Sequence, residues 1–205
     1  GLNLDKKELS RYARRGSGSA ARSIYGGFVE WQKGSDNSSY ALPIDAASWD
    51  VGMVVVIVSG EKKQVSSRAG MKRTVETSPF YKGWLVSAEL DLEKIKIAIK
   101  NRNLEEMGQI AERNGLKMHA AMLGANPPLL YWRPQSLLAI EQVKNMRREG
   151  IPCYFTMDAG PNVKIICRLS QAPLIKERLL EHFSENQIII TGPGPGAAVI
   201  AEESN

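Results

Sequence analysis

From Val51 to Val58 the chain reads Val-Gly-Met-Val-Val-Val-Ile-Val, apolar throughout and β-branched at every position except Gly52 and Met53. Such a run is a buried strand, ended here by Ser59-Gly60, and it is far too short to span a bilayer. After Ser67 the hydrophobic period changes from that of a strand to that of helices. Residues 70–77 are predicted helical, Pro79 interrupts, and Tyr81, Trp84, Leu85, Ala88 and Leu92 then recur at i, i+3, i+4 spacing across 80–100. Residues 104–122 place Leu104, Met107, Ile110, Ala111 and Met118 inward, until Pro127-Pro128 stops that helix. A further helix covers 134–148, with Pro134 in its first turn and Gly150 as its stop.

The remaining elements flank this helical block. A short helix over 5–14 opens at Asp5, an N-cap with Glu8 three residues on. It runs into a glycine–serine loop over 15–22, followed by strands at 24–32 and 40–44. Beyond the helices come a strand at 153–157, a turn at 158–162 and a strand at 163–169. A helix at 173–183, a strand at 187–191, a glycine–proline run at 192–196 and a strand at 197–202 complete the chain. The order is strands, several helices, then β–β–α–β–β. That order predicts an α+β fold in which helices cover one face of an antiparallel sheet.

Charge and rare residues narrow the function. Lys plus Arg number 27 against 22 Asp plus Glu, a net charge of +5 that favours anionic partners. Aromatic residues make up only 7% and no basic–aromatic stripe is present, so a nucleic-acid partner is not expected. No basic stretch followed by an apolar core opens the chain, so neither a secretory route nor a membrane partner is expected. Cys153 and Cys167 lie in apolar, strand-like runs without CxxC spacing and read as reduced core thiols of a cytoplasmic protein, with a disulfide or a reactive thiol left open. His119 and His182 are the only histidines, which rules out a multi-histidine metal site within one chain. His119, Trp132 and the methionines read as packing residues.

Three segments can carry chemistry. Arg14-Arg-Gly-Ser-Gly-Ser-Ala-Ala-Arg22 combines glycines, which admit close backbone approach, with serine hydroxyls and flanking arginines, a combination suited to a carboxylate or phosphate. A glycine–serine run alone would be a linker, and this one is not a Walker A loop. Val65-Ser-Ser-Arg-Ala-Gly-Met71 places two serines before a helix. Capping accounts for one of them, and Arg68 is not needed for a cap. Thr156-Met-Asp158-Ala-Gly-Pro-Asn162 puts a carboxylate where a strand enters a tight turn, although Asp, Gly, Pro and Asn are also ordinary turn residues.

Taken together, these segments resemble the diphosphomevalonate decarboxylase family of the GHMP kinase superfamily. The resemblance runs in order through Arg15-Gly-Ser-Gly-Ser-Ala-Ala-Arg-Ser-Ile-Tyr-Gly-Gly-Phe-Val-Glu-Trp31, Val65–Met71, Met118-His-Ala-Ala-Met-Leu-Gly-Ala-Asn-Pro-Pro-Leu-Leu-Tyr131 and Met157–Asn162. It implies ATP- and Mg²⁺-dependent conversion of mevalonate 5-diphosphate to isopentenyl diphosphate. Asp158, Arg22 and Ser67 then fall in the catalytic set, with Asp158 acting on the C3 hydroxyl and Arg22 on the substrate carboxylate. Ser17, Gly18, Ser19, Arg22, Arg68 and Met71 fall in the substrate-binding set.

The resemblance also implies that residues 1–62 end a GHMP-type N-terminal domain and that 63–205 form the C-terminal α+β domain. In that family a serine-rich nucleotide phosphate loop precedes the helix with which this chain starts. The chain is therefore expected to correspond to the C-terminal part of the enzyme, with the ATP loop and Mg²⁺ ligands unassigned and a second chain as one source of the N-terminal segment. These 205 residues alone are expected to bind ATP poorly. A homodimer is expected from the family. A phosphomevalonate decarboxylase, a mevalonate 3-kinase-like enzyme and a non-catalytic anion- or RNA-binding module are the rival readings.

Overall fold

The computed structural model describes residues 4–61 and 64–198. It divides into two compact units, Gly1–Trp49 with Pro193–Asn205, and Asp50–Gly192.

In the first unit, α1 (Lys6–Gly16) is capped by Asp5, whose carboxylate accepts from the Glu8 N–H at 2.7 Å. The expected glycine–serine loop is largely helical: after an extended Ser17, α2 spans Gly18–Ser23. Ala20 and Ala21 are strong helix formers, and the Ala20 N–H closes the first turn onto the Ser17 carbonyl at 3.0 Å. β1 (Phe28–Trp31) pairs antiparallel with β2 (Ala41–Asp45). β1 starts later than the expected residue 24 because Gly27 turns the chain at φ +71°, where a Cβ would lie 2.4 Å from the Asp45 carbonyl oxygen.

Buried Ser10 ties helix to sheet, its hydroxyl donating to the Lys7 carbonyl and accepting from the Ala41 N–H at 2.9 Å. The glycine–proline run lies along residues 23–27: the Gly27 N–H donates to the Gly194 carbonyl, and the Ala197 N–H to that of Ser23. Backbone meets backbone there, since a Cβ on Gly26 would sit 3.0 Å from Gly194 O and Gly196 N. Residues 197 and 198 are not in a strand, and the rest of the strand expected to 202 lies outside the described residues.

The second unit is built on a four-stranded antiparallel sheet in the order β4-β5-β3-β6, formed by Cys153–Thr156, Val163–Cys167, Gly52–Val56 and Ile188–Thr191. β3, the β-branched run, is interior, with β5 and β6 on its two sides. It precedes the 62/63 boundary implied by the resemblance, whereas both of its partners follow that boundary. Among the described residues, five α-helices accompany the sheet: α3 (Ser67–Thr77), α4 (Tyr81–Lys100), α5 (Leu104–Leu123), α6 (Pro134–Arg148) and α7 (Ala172–Leu179). Val54 and Val56 share one sheet face with Phe155, Val163 and Ile165, and this face buries Val143 and Met146 of α6 and Ile175 and Leu179 of α7.

α4 and α5 form an antiparallel hairpin locked by buried Asp91, which accepts from Lys117 Nζ at 2.9 Å and Asn114 Nδ2 at 3.1 Å. Burial pushes the Asp91 carboxyl up, but these hydrogen bonds and the Lys117 charge outweigh it and hold the group below its ordinary range. Cys153 and Cys167 face each other across β4 and β5 as free, buried thiols. Desolvation pushes them up to about 11 and about 12, so both remain protonated and inert at neutral pH. Among the described residues no helix is long and apolar enough to cross a membrane.

Candidate active site

In the second unit, β4 ends at Thr156 and the chain reverses through Asp158–Asn162 into β5. Each end of this reversal is held through backbone-directed hydrogen bonds. The Gly160 N–H donates to the Asp158 carbonyl at 2.7 Å. Ser136, fully buried at the start of α6, donates its hydroxyl to the Pro161 carbonyl at 2.7 Å and accepts from the Arg133 N–H at 3.2 Å. The Asn162 side-chain oxygen accepts from the N–H groups of Val58 and Ser59, at 2.9 and 3.0 Å, just past β3.

The Asp158 carboxylate points the other way. Its side chain is 83% exposed and meets Lys164 Nζ at 2.5 Å. A fixed backbone carrying a hydrated carboxylate is the arrangement a general base needs, because orientation costs no further ordering at the moment of reaction.

The start of α3 borders the same region. Ser66 supplies its cap, accepting from the Ala69 N–H at 3.2 Å, so Ser67, Arg68 and Met71 occupy exposed positions on the first turns. Val65, just before α3, and Ala159, just after Asp158, pack against one buried cluster of Met122, Ala125 and Leu129. Tyr131 donates from its hydroxyl to the Val65 carbonyl at 3.3 Å. A cavity of about 570 Å³ is lined by Val65, Arg73, Tyr131, Trp132, Arg133 and Pro161, bringing the α3 approach and the Asp158 turn to one opening. Arg133 binds Glu61 at 3.0 Å, and that hydrogen bond holds the Glu61 carboxyl below its ordinary range.

In the first unit, Ser17, Gly18, Ser19 and Arg22 share α2 and the residue before it. The Ser17 and Ser19 hydroxyls lie 2.9 Å apart and exposed, and Arg22 is exposed one helical turn on. Gly18 packs its bare backbone on the Trp31 ring, where a Cβ would come within 2.5 Å. Arg14 and Arg15, read from sequence as part of the same anion-binding segment, serve the scaffold: both bind the Asp36 carboxylate, at 2.6 and 2.7 Å, and hold it below its ordinary range. Among the described residues no group of three or more His, Cys, Asp or Glu could hold a metal ion, so the Mg²⁺ implied by the resemblance has no cage here.

Lys164 and Ser136 escaped the sequence reading. Lys164 reaches Asp158 only through the β4–β5 pairing, which no local pattern around it announces. Ser136 looks like a helix-start residue and is one, while its hydroxyl also serves a distant carbonyl. His119, read as a packing residue, is buried on α5 against Trp132.

Comparison with known proteins identifies the family. Residues 53–194 match the model of the "Mevalonate 5-diphosphate decarboxylase C-terminal domain". Residues 1–41 match that of the "Diphosphomevalonate decarboxylase-like N-terminal domain". The diphosphomevalonate decarboxylase of Ganoderma lucidum is 33% identical over 196 residues, covering 90% of this chain and 49% of the relative. A solved structure of mevalonate diphosphate decarboxylase from Staphylococcus aureus superposes with a TM-score of 0.92 at 45% identity, covering 97% of this chain and 61% of that one. Another, "MDDEF in complex with MVAPP, AMPPCP and Magnesium", superposes with a TM-score of 0.90 at 51% identity, covering 96% and 61%. The chain thus spans about half the length of that curated relative and about three-fifths of the solved chains. With residues 53–194 matching the C-terminal model and residues 1–41 the N-terminal one, the chain belongs to the diphosphomevalonate decarboxylase family.

Proposed function

We propose that this chain carries the substrate-side machinery of an ATP-dependent decarboxylase that converts mevalonate 5-diphosphate to isopentenyl diphosphate, with ADP, phosphate and CO₂ as the other products. The observation that carries the reading is the Asp158 carboxylate, exposed on a turn whose backbone is fixed by Ser136, Gly160 and Asn162. Asp158 takes or orients the proton of the tertiary C3 hydroxyl as that oxygen attacks the γ-phosphate of ATP. Phosphorylation converts a poor leaving group into a good one. Departure of phosphate and loss of CO₂ then leave the alkene.

The remaining roles follow the chemistry of each side chain. The Arg22 guanidinium matches the substrate carboxylate in a planar fork, and Arg68 with Ser67 suits the diphosphate end. The paired Ser17 and Ser19 hydroxyls supply adaptable hydrogen bonds, while Gly18 keeps that turn against Trp31. Met71 offers an exposed apolar surface near the start of α3 and no proton chemistry. Mg²⁺ acts with ATP as family chemistry, and no step is assigned to it through residues of this chain. A cytoplasmic location and a homodimer belong to the same proposal, supported by family membership and, for location, by the free thiols at Cys153 and Cys167.

The test is a coupled assay of the cell's own form of the protein, following ADP and CO₂ release with mevalonate 5-diphosphate, beside calorimetric binding of that substrate. Asp158→Asn is expected to abolish turnover while substrate affinity stays within about threefold. Near-wild-type turnover in that variant would overturn the role of Asp158.

A further inference from the structure

Lys164 is the second residue of β5, paired in register with Val55 of β3 and Thr156 of β4. Its chain neighbours Val163 and Ile165 are buried on the face covered by α6 and α7, so its own side chain leaves the sheet on the opposite face, beside those of Val55 and Thr156. Lysine is not a favoured strand residue, and for packing alone a β-branched side chain would serve this half-buried position better. What such a residue lacks is the ammonium. Lys164 Nζ donates to Asp158 Oδ2 at 2.5 Å, and the lysine side chain is 27% exposed against 83% for the aspartate. Among the described residues neither group has another ionic partner, and no donor reaches Asp158 Oδ1.

An ion pair whose carboxylate is this open contributes little to stability, because water screens it. Its effect is on direction. The ladder holds the Lys164 backbone from both sides, and the hydrogen bonds of the turn hold the backbone around Asp158. The pair therefore ties the one part of Asp158 that the turn leaves free to rotate. We propose that Lys164 is a positioning residue for Asp158: its ammonium holds Oδ2 and so presents Oδ1 to the C3 hydroxyl of the substrate. The inference rests on the reading of Asp158 given above. In the step it serves, the hydroxyl proton passes towards Oδ1 while the C3 oxygen bonds the γ-phosphorus and the bond from that phosphorus to ADP breaks. Lys164 gives up no proton in this step and touches no reacting atom.

Two measurements test this. In the active protein, Lys164→Met keeps the length of the side chain and removes its charge. It is expected to lower kcat by about tenfold to a hundredfold with little change in KM and an unchanged urea midpoint. Lys164→Arg, which keeps the charge, is expected to recover most of that loss. In Lys164→Ala, added ethylammonium is expected to raise kcat with dose, whereas tetramethylammonium, which has no N–H to donate, is not. The second measurement needs no turnover: nitrogen-15 NMR of the lysine side chains is expected to show one ammonium protected from exchange in the wild type and lost in Asp158→Asn. Absence of that signal from the wild type would overturn the proposal. So would wild-type kcat in Lys164→Met with Asp158→Asn dead, or a kcat loss that neither arginine nor ethylammonium restores. An active Asp158→Asn would instead overturn the reading beneath it.

Discussion

The pH dependence of stability follows from single residues, and His119 sets its upper limb. Unfolded, its ring titrates near the ordinary 6.5; folded, it is pushed down to about 4. Between those values the unfolded chain binds a proton that the native one refuses, so stability rises with pH across that window and is fully present above it. That difference corresponds to about 3 kcal/mol, lost progressively as pH falls from 6.5 towards about 4. Urea midpoints taken at closely spaced pH values should show this limb, and in His119→Leu it should flatten. Below it the carboxyl of buried Asp91, held down by Lys117 and Asn114, contributes in the same sense: its stabilisation is present above its unfolded value and lost on further acidification. Exposed Asp36 and Glu61 shift in the same direction, but solvent screening makes them minor. Gly18 gives a separate residue-scale prediction. In Gly18→Ala the new Cβ meets the Trp31 ring, so a loss of about 1–3 kcal/mol is expected, with a change in tryptophan emission as the ring moves.

At the scale of elements, α6 reaches the site without entering it. Ser136 uses one hydroxyl twice, accepting from the Arg133 N–H inside the helix start and donating to Pro161 in the Asp158 turn. Ser136→Ala strands both partners, and a loss of about 1–3 kcal/mol is expected. Hydrogen exchange should quicken at Gly160 and Asn162 while the β4 and β5 amides keep their protection. Uniform acceleration would show that the bond only supports the fold. Bonds of this kind also mark where the sequence stops being legible. The long helices α4, α5 and α6 and the strands β3 to β6 were readable because each carries its own period or its own proline and glycine stops. α2 was not, because Gly16 to Ser19 has linker composition while Ala20 to Arg22 closes a helical turn that packs Gly18 on Trp31. The Asp158 turn was readable as a turn, and its aspartate as a candidate through the family resemblance. The groups that immobilise it come from α6 and from just past β3, across separations of about 25 to 100 residues where no local rule operates.

The two units differ in what holds them, and this sets how the whole chain should come apart. Among described residues of the first unit, the buried apolar side chains are Ala21, Ile24, Ala41 and Ala47, three of them the smallest hydrophobe. Burying a Val, Leu, Ile or Phe contributes about 1.5–3 kcal/mol each and an alanine far less, so that unit depends on polar ties such as Ser10 to Ala41 and Trp31 to Ser39. The second unit buries Val54, Val56, Val143, Phe155, Val163, Ile165, Ile175 and Leu179 in one continuous cluster. Native-state hydrogen exchange should therefore find β1 and β2 opening at a lower free energy than β3 and β5, as separate cooperative units rather than one. Ile165→Ala isolates the difference. It cuts a fully buried side chain from the second core, at a cost of about 2–5 kcal/mol. Amides of β3 and β5 should lose that much protection while those of β1 and β2 do not move. If all four strands shift together, the polar ties of the first unit are not its independent support, and the whole chain unfolds in a single step.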